Sequence, residues 1–578
     1  MDTFNSTTVM QQIEQEMDTR LPYRVGWPTL PVLPVVEEWD EDGTIFDKWT
    51  LAKIRRILLH EHIIKRFHLE PSYRFNRGQE KRPTLKISAV YDPALGNNTW
   101  IEAVKSIRQY LLSKGNDATI EIIDIAANYG HGRKPIDDDE TGKKFREFLP
   151  TLHSLLVHHS WVALDLVDMS PKEADPSRPT IIISALDANS ESWWSDTLPL
   201  IRNRAPAGLD IELRLGDEDM LASAHSDPRI SIPAIAPMGA CCGASGSQET
   251  GALGGLVVLG NEDLNLGLTC HHVLCKDSPG AQCIAPDHKL STIVVAPSDK
   301  SIQDYTEDLD KSARCYESLK MQRHYRYTKS SKWVRIDERK VENRTRLEKK
   351  TISAIDRRLG GIFASSGFRS AMYDEDTGGL EDKDGNKLQW ALDWCLVAPR
   401  PERGVSRVVT DVREYFGLKL SKNARPQEYR SLNGATTLSV VRKSPSGWAR
   451  GRISKTPSVL NPVFFKKAHN PEAHEPDMHA VDNLDDCNRP VLAYGIVTGS
   501  SSEMFLNRGD SGTMVLLDES GDTAVIAGLG FASNSASGVA YMTPMRVVIQ
   551  DIENVTGKTV SVPQYGGQFT DDFNDTTL

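Results

Sequence analysis

The sequence predicts a multidomain chain in which a duplicated α/β region is followed by an all-β region that carries a helical-hairpin insertion. Three observations support this fold class: a length of 578 residues, a repeated segment in the first half, and short β-branched runs separated by Gly, Ser and Asn in the second half. A chain of this length exceeds what one ordinary hydrophobic core holds. We therefore expect several domains.

The composition is that of a globular protein. Hydrophobic residues make up 39% and charged residues 25%, and no stretch approaches the roughly 20 apolar residues that a membrane helix needs. The net charge of -11 does not favour nucleic-acid binding, which requires clustered Lys and Arg. The N-terminus lacks the pattern of a secretory signal. Because 8 cysteines are too few for a disulfide scaffold, we expect a cytoplasmic protein with mostly free thiols.

Residues 1–75 are predicted to form an N-terminal arm. Within it, residues 22–43 are interpreted as a linker, because prolines recur at every third position between Pro28 and Pro34 and this spacing favours a polyproline II course. Apolar residues from Trp49 to Phe67 then fall near helical spacing. This second pattern predicts one amphipathic helix.

Residues 76–230 are predicted to form a duplicated α/β domain. The segment Arg82–Ala89 recurs as Arg178–Ala185, and in the helices that follow Trp100 corresponds to Trp194. Each copy is predicted to be a strand, a loop, a helix and a strand, which is a βαβ-type unit. Neither copy has a Gly-rich phosphate loop or a cluster of catalytic residue types. We expect this domain to act as a scaffold or to bind a regulatory protein partner.

Residues 235–556 show the pattern of a β barrel or sandwich, with short strands between turn residues. Residues 254–269 predict a first hairpin. Residues 512–542 predict three consecutive strands, and 545–556 predict a closing helix.

This β pattern is interrupted at residues 300–358. The stretch lacks turn signals and is crowded with Lys, Arg, Glu and Asp between spaced apolar positions, which predicts a hairpin of two charged helices. The hairpin is a second candidate for contact with a regulatory protein partner. The polar tail at 557–578 is predicted to be disordered.

One four-residue turn carries the main chemical signal. In Gly509-Asp510-Ser511-Gly512 the first glycine allows a sharp turn, so that the amides of Gly509 and Ser511 can point together at a developing oxyanion. Hydrolysis by a serine also requires a base and an acid that orients the base. Such a tetrapeptide is also an ordinary turn, expected by chance in roughly one chain per hundred of this length. The turn therefore indicates a catalytic serine only if a base and an orienting acid are found elsewhere in the sequence.

Two candidate partners lie upstream of the turn. His272 follows an apolar strand in Thr269-Cys270-His271-His272-Val273, and Asp393 precedes another in Leu392-Asp393-Trp394-Cys395-Leu396-Val397. The resulting chain order is His, Asp, Ser. It differs from the orders found in subtilisin and in the α/β hydrolases.

With these three motifs, residues 240–555 resemble the trypsin-like (chymotrypsin-fold) serine peptidase family, and are nearest to its intracellular, disulfide-free members. The resemblance implies a double β-barrel and a hydrolase that cleaves protein or peptide substrates without a cofactor or metal. It implies a triad of His272, Asp393 and Ser511. The family motif Thr-x-x-His-Val selects His272 rather than His271 as the base, and the amides of Gly509 and Ser511 would form the oxyanion hole.

The same resemblance implies a specificity pocket. Its base lies six residues before the serine, at Phe505, where cleavage after Lys or Arg would require an acid. A modest apolar preference is expected instead. The walls of the pocket would come from Leu529, Gly530, Phe531 and Gly538.

Two departures from the family stand out. His272 and Asp393 are 121 residues apart, which is long for the family, and the helical insertion explains much of the excess because the cost of loop closure rises slowly with length. Asp510 has no recognisable partner that cleavage near residue 240 would create. Activation by a new N-terminus is therefore not supported.

Two alternatives stay open. The first is a catalytically silent protease-fold scaffold or sensor that binds protein partners. The second is a zinc site, since thiolate and imidazole ligands suit zinc and five candidates cluster, although without the usual Cys-x2-Cys spacing: Cys270, His271, His272, Cys275 and Cys283. A cysteine nucleophile would require Cys at position 511, where the sequence has serine.

Overall fold

The computed structural model describes residues 13–40, 42–60, 66–92, 96–128, 132–170, 178–216, 235–260, 264–275, 292–324, 338–373, 379–406, 419–432, 438–461, 489–499 and 503–561. This part of the chain is mostly β. Within it, no helix has the length and apolar character needed to span a membrane.

The first region is a six-stranded sheet with helices packed against it. Its elements are β1 (Asp18–Leu21), β2 (Arg24–Trp27), β3 (Val36–Trp39), α1 (Lys48–His60), β4 (Phe67–Phe75), β5 (Arg82–Ala89), α2 (Asn98–Leu112), β6 (Thr119–Asp124) and α3 (Ile125–Asn128). The strand order is β1-β2-β6-β5-β4-β3. Strands β5 and β6 are parallel and joined by α2, while β4 pairs with β5 across the boundary predicted at residue 76. Buried residues of α1, α2 and the sheet form a separate hydrophobic core.

The linker predicted at residues 22–43 is wrong. This stretch contributes β2 and β3 to the sheet, and Val25, Leu30 and Val32 are buried. Proline spacing favours an extended backbone, and here part of that backbone pairs with β4 and β6 instead of crossing the surface alone. The helix predicted from Trp49 is confirmed as α1, which ends at His60. Phe67, which the prediction included, is instead the first residue of β4.

The second α/β region contains β7 (Gly132–Pro135), α4 (Asp139–Leu155), β8 (Trp161–Ser170), β9 (Arg178–Ala185), a π-helix (Trp193–Thr197), α5 (Leu198–Arg204) and β10 (Asp210–Leu215). Strands β9 and β10 are parallel, as β5 and β6 are in the first region. The fully buried tryptophan is Trp193, whereas the sequence match pairs Trp100 with Trp194. A π-helical turn contains one more residue than an α-helical turn. The buried tryptophan of the second copy therefore lies one position before the one that the sequence alignment pairs with Trp100. The two copies lie in different sheets, so the duplicated domain stays a prediction.

The next region is a rolled sheet with the helical insertion. Its elements are β11 (Ile235–Ala236), β12 (Ala240–Ala244), β13 (Gly251–Leu253), β14 (Gly255–Leu259), β15 (Leu264–Thr269), α6 (His271–Leu274), β16 (Ile293–Val295), α7 (Asp299–His324), α8 (Glu338–Ala354), β17 (Arg358–Ser365), β18 (Arg369–Ala371), β19 (Gln389–Leu392), β20 (Cys395–Pro399) and β21 (Gly404–Val405). Strands β12, β16, β17, β20 and β15 pair in succession. The continuous β13–β14 segment pairs with β12 and β15, which joins the two ends of the roll. The predicted first hairpin is confirmed as β14–β15.

The predicted helical hairpin corresponds to α7 and α8. The two helices contact each other through Lys349 Nζ, which lies 2.6 Å from Asp310 Oδ1, and through Tyr305, which donates to Glu348 at 3.3 Å. The hairpin leaves the sheet after β16 and returns at β17. Because β16 and β17 pair directly, the insertion does not interrupt the rolled sheet.

The last region forms a closed ring of strands. Its elements are β22 (Leu420–Tyr429), β23 (Ser439–Ser444), β24 (Gly447–Ile453), β25 (Ser458–Leu460), β26 (Val491–Val497), β27 (Met514–Leu517), β28 (Gly521–Asn534), β29 (Val539–Pro544), α9 (Met545–Thr556) and β30 (Val560–Ser561). Strands β26, β24, β23, β27, β28 and β29 pair in turn, and β29 pairs back to β26. The three predicted strands are confirmed as β27–β29, and the closing helix as α9.

Part of the tail predicted to be disordered is structured, because β30 pairs with β14; residues 562–578 lie outside the described part. The second α/β region and the last ring share one sheet, since β25 pairs with both β26 and β8. Their apolar side chains form one hydrophobic cluster with those of the rolled sheet. The β architecture after residue 235 is consistent with a chymotrypsin-like double barrel.

Candidate active site

His272 and Asp393 form a buried hydrogen-bonded pair. His272 lies on α6, directly after β15, and Asp393 lies in the turn between β19 and β20. The His272 Nδ1 atom is 2.5 Å from Asp393 Oδ2, and the His272 amide donates to Oδ1 at 3.0 Å. The neighbouring His271 instead has its Nδ1 atom 2.6 Å from the hydroxyl of Ser365. The Asp393 carboxylate thus fixes the His272 ring with Nε2 on the side away from the acid.

The environment of Asp393 keeps it ionised. Burial alone would raise the pKa of this carboxyl group, but the charges and hydrogen bonds of His272, and the charge of His271, outweigh burial and hold the pKa below its usual value. Asp393 is therefore a carboxylate at neutral pH. An acid that orients an imidazole and stabilises its cation needs this state.

The turn that carries Asp393 is held by its neighbours. The indole of Trp394 donates to Asp551 Oδ2 on α9 at 2.7 Å. The backbone of Trp394 donates to the hydroxyl of Ser366 at 2.8 Å and accepts from the Ser366 amide at 2.9 Å. Trp394 and Asp551 are fully buried. These bonds fix the backbone position of Asp393.

Ser511 lies in a tight turn between two glycines with positive φ, +89° at Gly509 and +94° at Gly512. A Cβ atom at Gly512 would lie 2.3 Å from Thr269 Oγ1 and 2.4 Å from the Ala252 carbonyl. Only glycine permits both this conformation and this approach. The turn is thereby packed against the end of the strand that leads to His272.

The contacts of Ser511 place it at the junction of the rolled sheet and the closed ring. Its carbonyl accepts from the Ala252 amide at 2.7 Å, and its hydroxyl donates to the Phe531 carbonyl at 2.8 Å. A Cβ atom at Gly251 would lie 2.4 Å from Val273 and 2.6 Å from the Ser511 carbonyl. The serine turn and α6 therefore both pack against Gly251.

The two amides proposed as oxyanion donors are available. Within the described residues, neither Gly509 nor Ser511 donates its backbone N–H to an acceptor, whereas the amides of Asp510, Gly512 and Thr513 do. Amides without an internal acceptor can bind an oxyanion that develops next to the serine.

Asp510 has a buried partner that the sequence analysis missed. Its Oδ2 atom lies 2.8 Å from Arg442 Nη2 on β23, and both side chains are almost fully buried. The carboxylate also accepts from the Ser446 hydroxyl and the Asn507 amide, each at 2.7 Å. In the sequence, Arg442 directly follows two valines, and a charged residue in such an apolar run is the signal that could have indicated a buried ion pair. The serine turn is thus supported from within the chain, without a newly cleaved N-terminus.

The five residues predicted to form the pocket are all buried: Phe505, Leu529, Gly530, Phe531 and Gly538. Phe505 packs on Gly451, where a Cβ atom would lie 2.8 Å from the Phe505 ring. Gly538 has a positive φ of +69° and packs against Arg133 of the second α/β region. The turn between β28 and β29 therefore contacts a residue far outside the part of the chain that resembles the peptidase family.

The residues that could hold a zinc ion in the structure differ from the five predicted from the sequence. In the described residues, the donor atoms of Cys270, His272 and Asp393 all lie within 4.8 Å of one another, while Cys283 lies outside the described part. Burial, together with the Asp393 charge, raises the pKa of Cys270 well above its usual value. Zinc binds the thiolate form, so coordination by Cys270 would require the loss of this proton.

No family model and no curated protein matches the chain. Among solved structures, Thermobifida fusca protease A is similar at 10% identity and a TM-score of 0.24, covering 57% of this chain and 100% of that chain. A Cellulomonas bogoriensis chymotrypsin is similar at 14% identity and a TM-score of 0.18, covering 30% of this chain and 70% of that chain. Both TM-scores are low.

Proposed function

We propose that this protein is a serine endopeptidase that hydrolyses peptide bonds through Ser511, His272 and Asp393. The observation that carries the proposal is the buried hydrogen bond between His272 Nδ1 and Asp393 Oδ2, 2.5 Å long, beside a serine turn with two positive-φ glycines. An ionised acid, an oriented imidazole and available amides are what acyl transfer to serine requires.

In this mechanism Ser511 Oγ attacks the carbonyl carbon of the scissile bond while His272 Nε2 takes its proton. The amides of Gly509 and Ser511 donate to the oxyanion. The protonated His272 then gives its proton to the leaving amine as the C–N bond breaks, which leaves an acyl ester on Ser511. Water, deprotonated by His272, hydrolyses this ester and regenerates the serine.

The hydroxyl of Ser511 must change its acceptor before attack. It donates to the Phe531 carbonyl at 2.8 Å, and in the reaction it donates to His272 instead. Leaving the buried Phe531 carbonyl without this donor costs about 1–3 kcal/mol. This change is therefore small beside the barrier that the triad lowers.

A fluorophosphonate probe tests the proposal, because it reacts with an activated serine. We expect native protein to be labelled at Ser511 and to cleave peptides, and Ser511→Ala and His272→Ala to lose about a million-fold in kcat. Asp393→Asn should lose about ten-thousand-fold. Ser439→Ala, a serine at the start of β23, is the control and should behave as wild type.

Labelling that persists in Ser511→Ala would contradict the assignment of the nucleophile. A folded wild type that is neither labelled nor able to cleave any peptide in a diverse library would favour the catalytically silent scaffold.

A further inference from the structure

We propose that Asp165, on β8 of the second α/β region, positions the two strands that form the wall of the specificity pocket, β28 and β29. This inference rests on the proposed function and deepens it. It assigns to the N-terminal half of the chain a part in substrate binding.

Asp165 reaches the pocket strands through a buried network of hydrogen bonds. Its Oδ2 atom accepts from the hydroxyl of Tyr541 at 2.8 Å and from the side-chain amide of Asn534 at 3.3 Å. The same amide donates to Ser184 on β9 at 2.8 Å. Asp165, Asn534 and Tyr541 are almost completely buried. One acid from the α/β region thus binds both pocket strands.

The register of the strands shows which face Asp165 touches. Asn534 pairs with Val539 and Ala532 pairs with Tyr541, so the side chains of Asn534 and Tyr541 lie on one face of the strand pair. Ser533 and Ala540, which pair with each other, lie on the opposite face. Asp165 therefore contacts these two strands from the face that carries Asn534 and Tyr541.

The supported strands lead directly to the nucleophile. The carbonyl of Phe531, three residues before Asn534 on β28, accepts from the Ser511 hydroxyl at 2.8 Å. A shift of this end of β28 therefore changes the distance between the pocket wall and the serine. Substrate positioning is sensitive to displacements of about 1 Å.

A second residue of the α/β region contacts the turn between the same two strands. A Cβ atom at Gly538 would lie 1.8 Å from Arg133 Nη1, so the guanidinium group lies directly on this turn. Arg133 belongs to β7, the neighbour of β8. Asp165 and Arg133 hold the pocket wall at two points.

Removing the Asp165 carboxyl group would leave the Tyr541 hydroxyl and the Asn534 amide buried without this acceptor. Unpaired buried donors drive local rearrangement. The expected result is weaker and less selective substrate binding, with the triad itself intact.

The experiment compares peptide cleavage with fluorophosphonate labelling in the full chain. A small fluorophosphonate needs the triad but no side chain in the pocket. We expect Asp165→Ala to raise KM for the preferred peptides about tenfold and to broaden the preference at the residue before the scissile bond. Its rate of Ser511 labelling should stay within about threefold of wild type.

Two further variants keep the test decisive if Asp165→Ala folds poorly. Asp165→Asn retains an oxygen that accepts from Tyr541 and should restore most of the wild-type KM. Arg133→Ala removes no hydrogen bond of the Asp165 network and should raise KM in the same direction by a smaller factor. The control is Asp518→Asn, a buried acid directly after β27 of the closed ring, which pairs with Arg450 and accepts from the Lys419 amide.

The outcomes separate the two proposals. If Asp165→Ala and Asp518→Asn lower thermal stability alike and neither changes KM or cleavage preference, Asp165 is a structural residue only and the inference is overturned. If Asp165→Ala is unfolded and Arg133→Ala leaves both KM and the cleavage preference at their wild-type values, it is overturned as well. A wild type that is never labelled at Ser511 overturns the proposed function, and this inference with it.

Discussion

The two α/β regions each bury an acid, and they accommodate it in opposite ways. Glu121, in the first region, lies between two arginines, with Arg24 Nε at 2.8 Å and Arg74 Nε at 3.0 Å. Asp165, in the second region, is surrounded by neutral hydroxyl and amide donors such as Tyr541. A buried acid is stable either as a paired carboxylate or as a neutral carboxyl group.

The two environments shift the pKa of the two acids in opposite directions. Burial raises the pKa of Glu121, but Arg24 and Arg74 outweigh burial and lower it to about 2. Burial raises the pKa of Asp165 above its usual value, and the surrounding hydrogen bonds offset only part of this rise. The first region therefore contains a permanent ion pair, and the second contains an acid that is readily protonated.

The two α/β regions also differ in their hydrophobic cores. The first sheet has its own core, which includes Trp100, whereas Trp193 in the second region belongs to the cluster shared with the rolled sheet and the closed ring. A substitution that disrupts the first core should destabilise only the first sheet. A substitution that disrupts the shared cluster should also alter the candidate active site.

The largest effects should come from removing these two tryptophans. Trp100→Ala and Trp193→Ala should each destabilise their own region by about 3–5 kcal/mol, because each leaves a large cavity. Only Trp193→Ala should also slow fluorophosphonate labelling of Ser511. Thermal unfolding and labelling rates measure the two effects, and equal loss of labelling in both variants would show that the first region is not independent.

The local features of these regions could be predicted from the sequence, and the contacts between distant residues could not. The βαβ pattern of both copies and the motifs around His272, Asp393 and Ser511 depend on local spacing, which a sequence displays. The ion pair of Arg442 with Asp510 and the contact of Asp165 with Tyr541 join residues far apart in the chain. Such contacts follow from strand pairing that local patterns do not specify, and the β8–β25 pairing is of this kind.

The ion pairs of Glu121 should make the stability of the first region depend on pH. The unfolded pKa of Glu121 is about 4.3 and its folded pKa is about 2, so the carboxylate contributes stability above the unfolded value that is lost as pH falls toward 2. The difference corresponds to about 3 kcal/mol. The protection factors of the β5 and β6 amides, which are exchange rates corrected for the intrinsic pH dependence of exchange, should therefore fall over this range.

Glu121→Gln is the matched variant for this measurement. It should be less stable than wild type at neutral pH, because Arg24 and Arg74 lose the charge they pair with. Its protection factors, corrected for intrinsic exchange, should change little between pH 5 and pH 2. A wild-type slope that persists in Glu121→Gln would assign the acid sensitivity to another group.

Asp165 should give a pH slope of the opposite sign. Because its folded pKa is raised, the neutral carboxyl group contributes stability that is complete below the unfolded pKa of about 3.9 and is lost as pH rises through the folded pKa. The protection factors of the β8 amides, corrected for intrinsic exchange, should fall as pH rises, and Asp165→Asn should remove this dependence. An identical slope in wild type and Asp165→Asn would show that Asp165 is ionised in both states.

The smallest effect should come from an exposed contact between the same second region and the closed ring. Lys455 Nζ lies 2.5 Å from Asp139 Oδ1 on α4, and the Asp139 side chain is 80% exposed. Exposed ion pairs contribute about 0.5 kcal/mol, and salt weakens them. Asp139→Asn should therefore lower the thermal stability only slightly, and 1 M salt should remove the difference from wild type. A loss as large as that of Trp193→Ala would mean that surface charges, and not the shared core, join the second region to the ring.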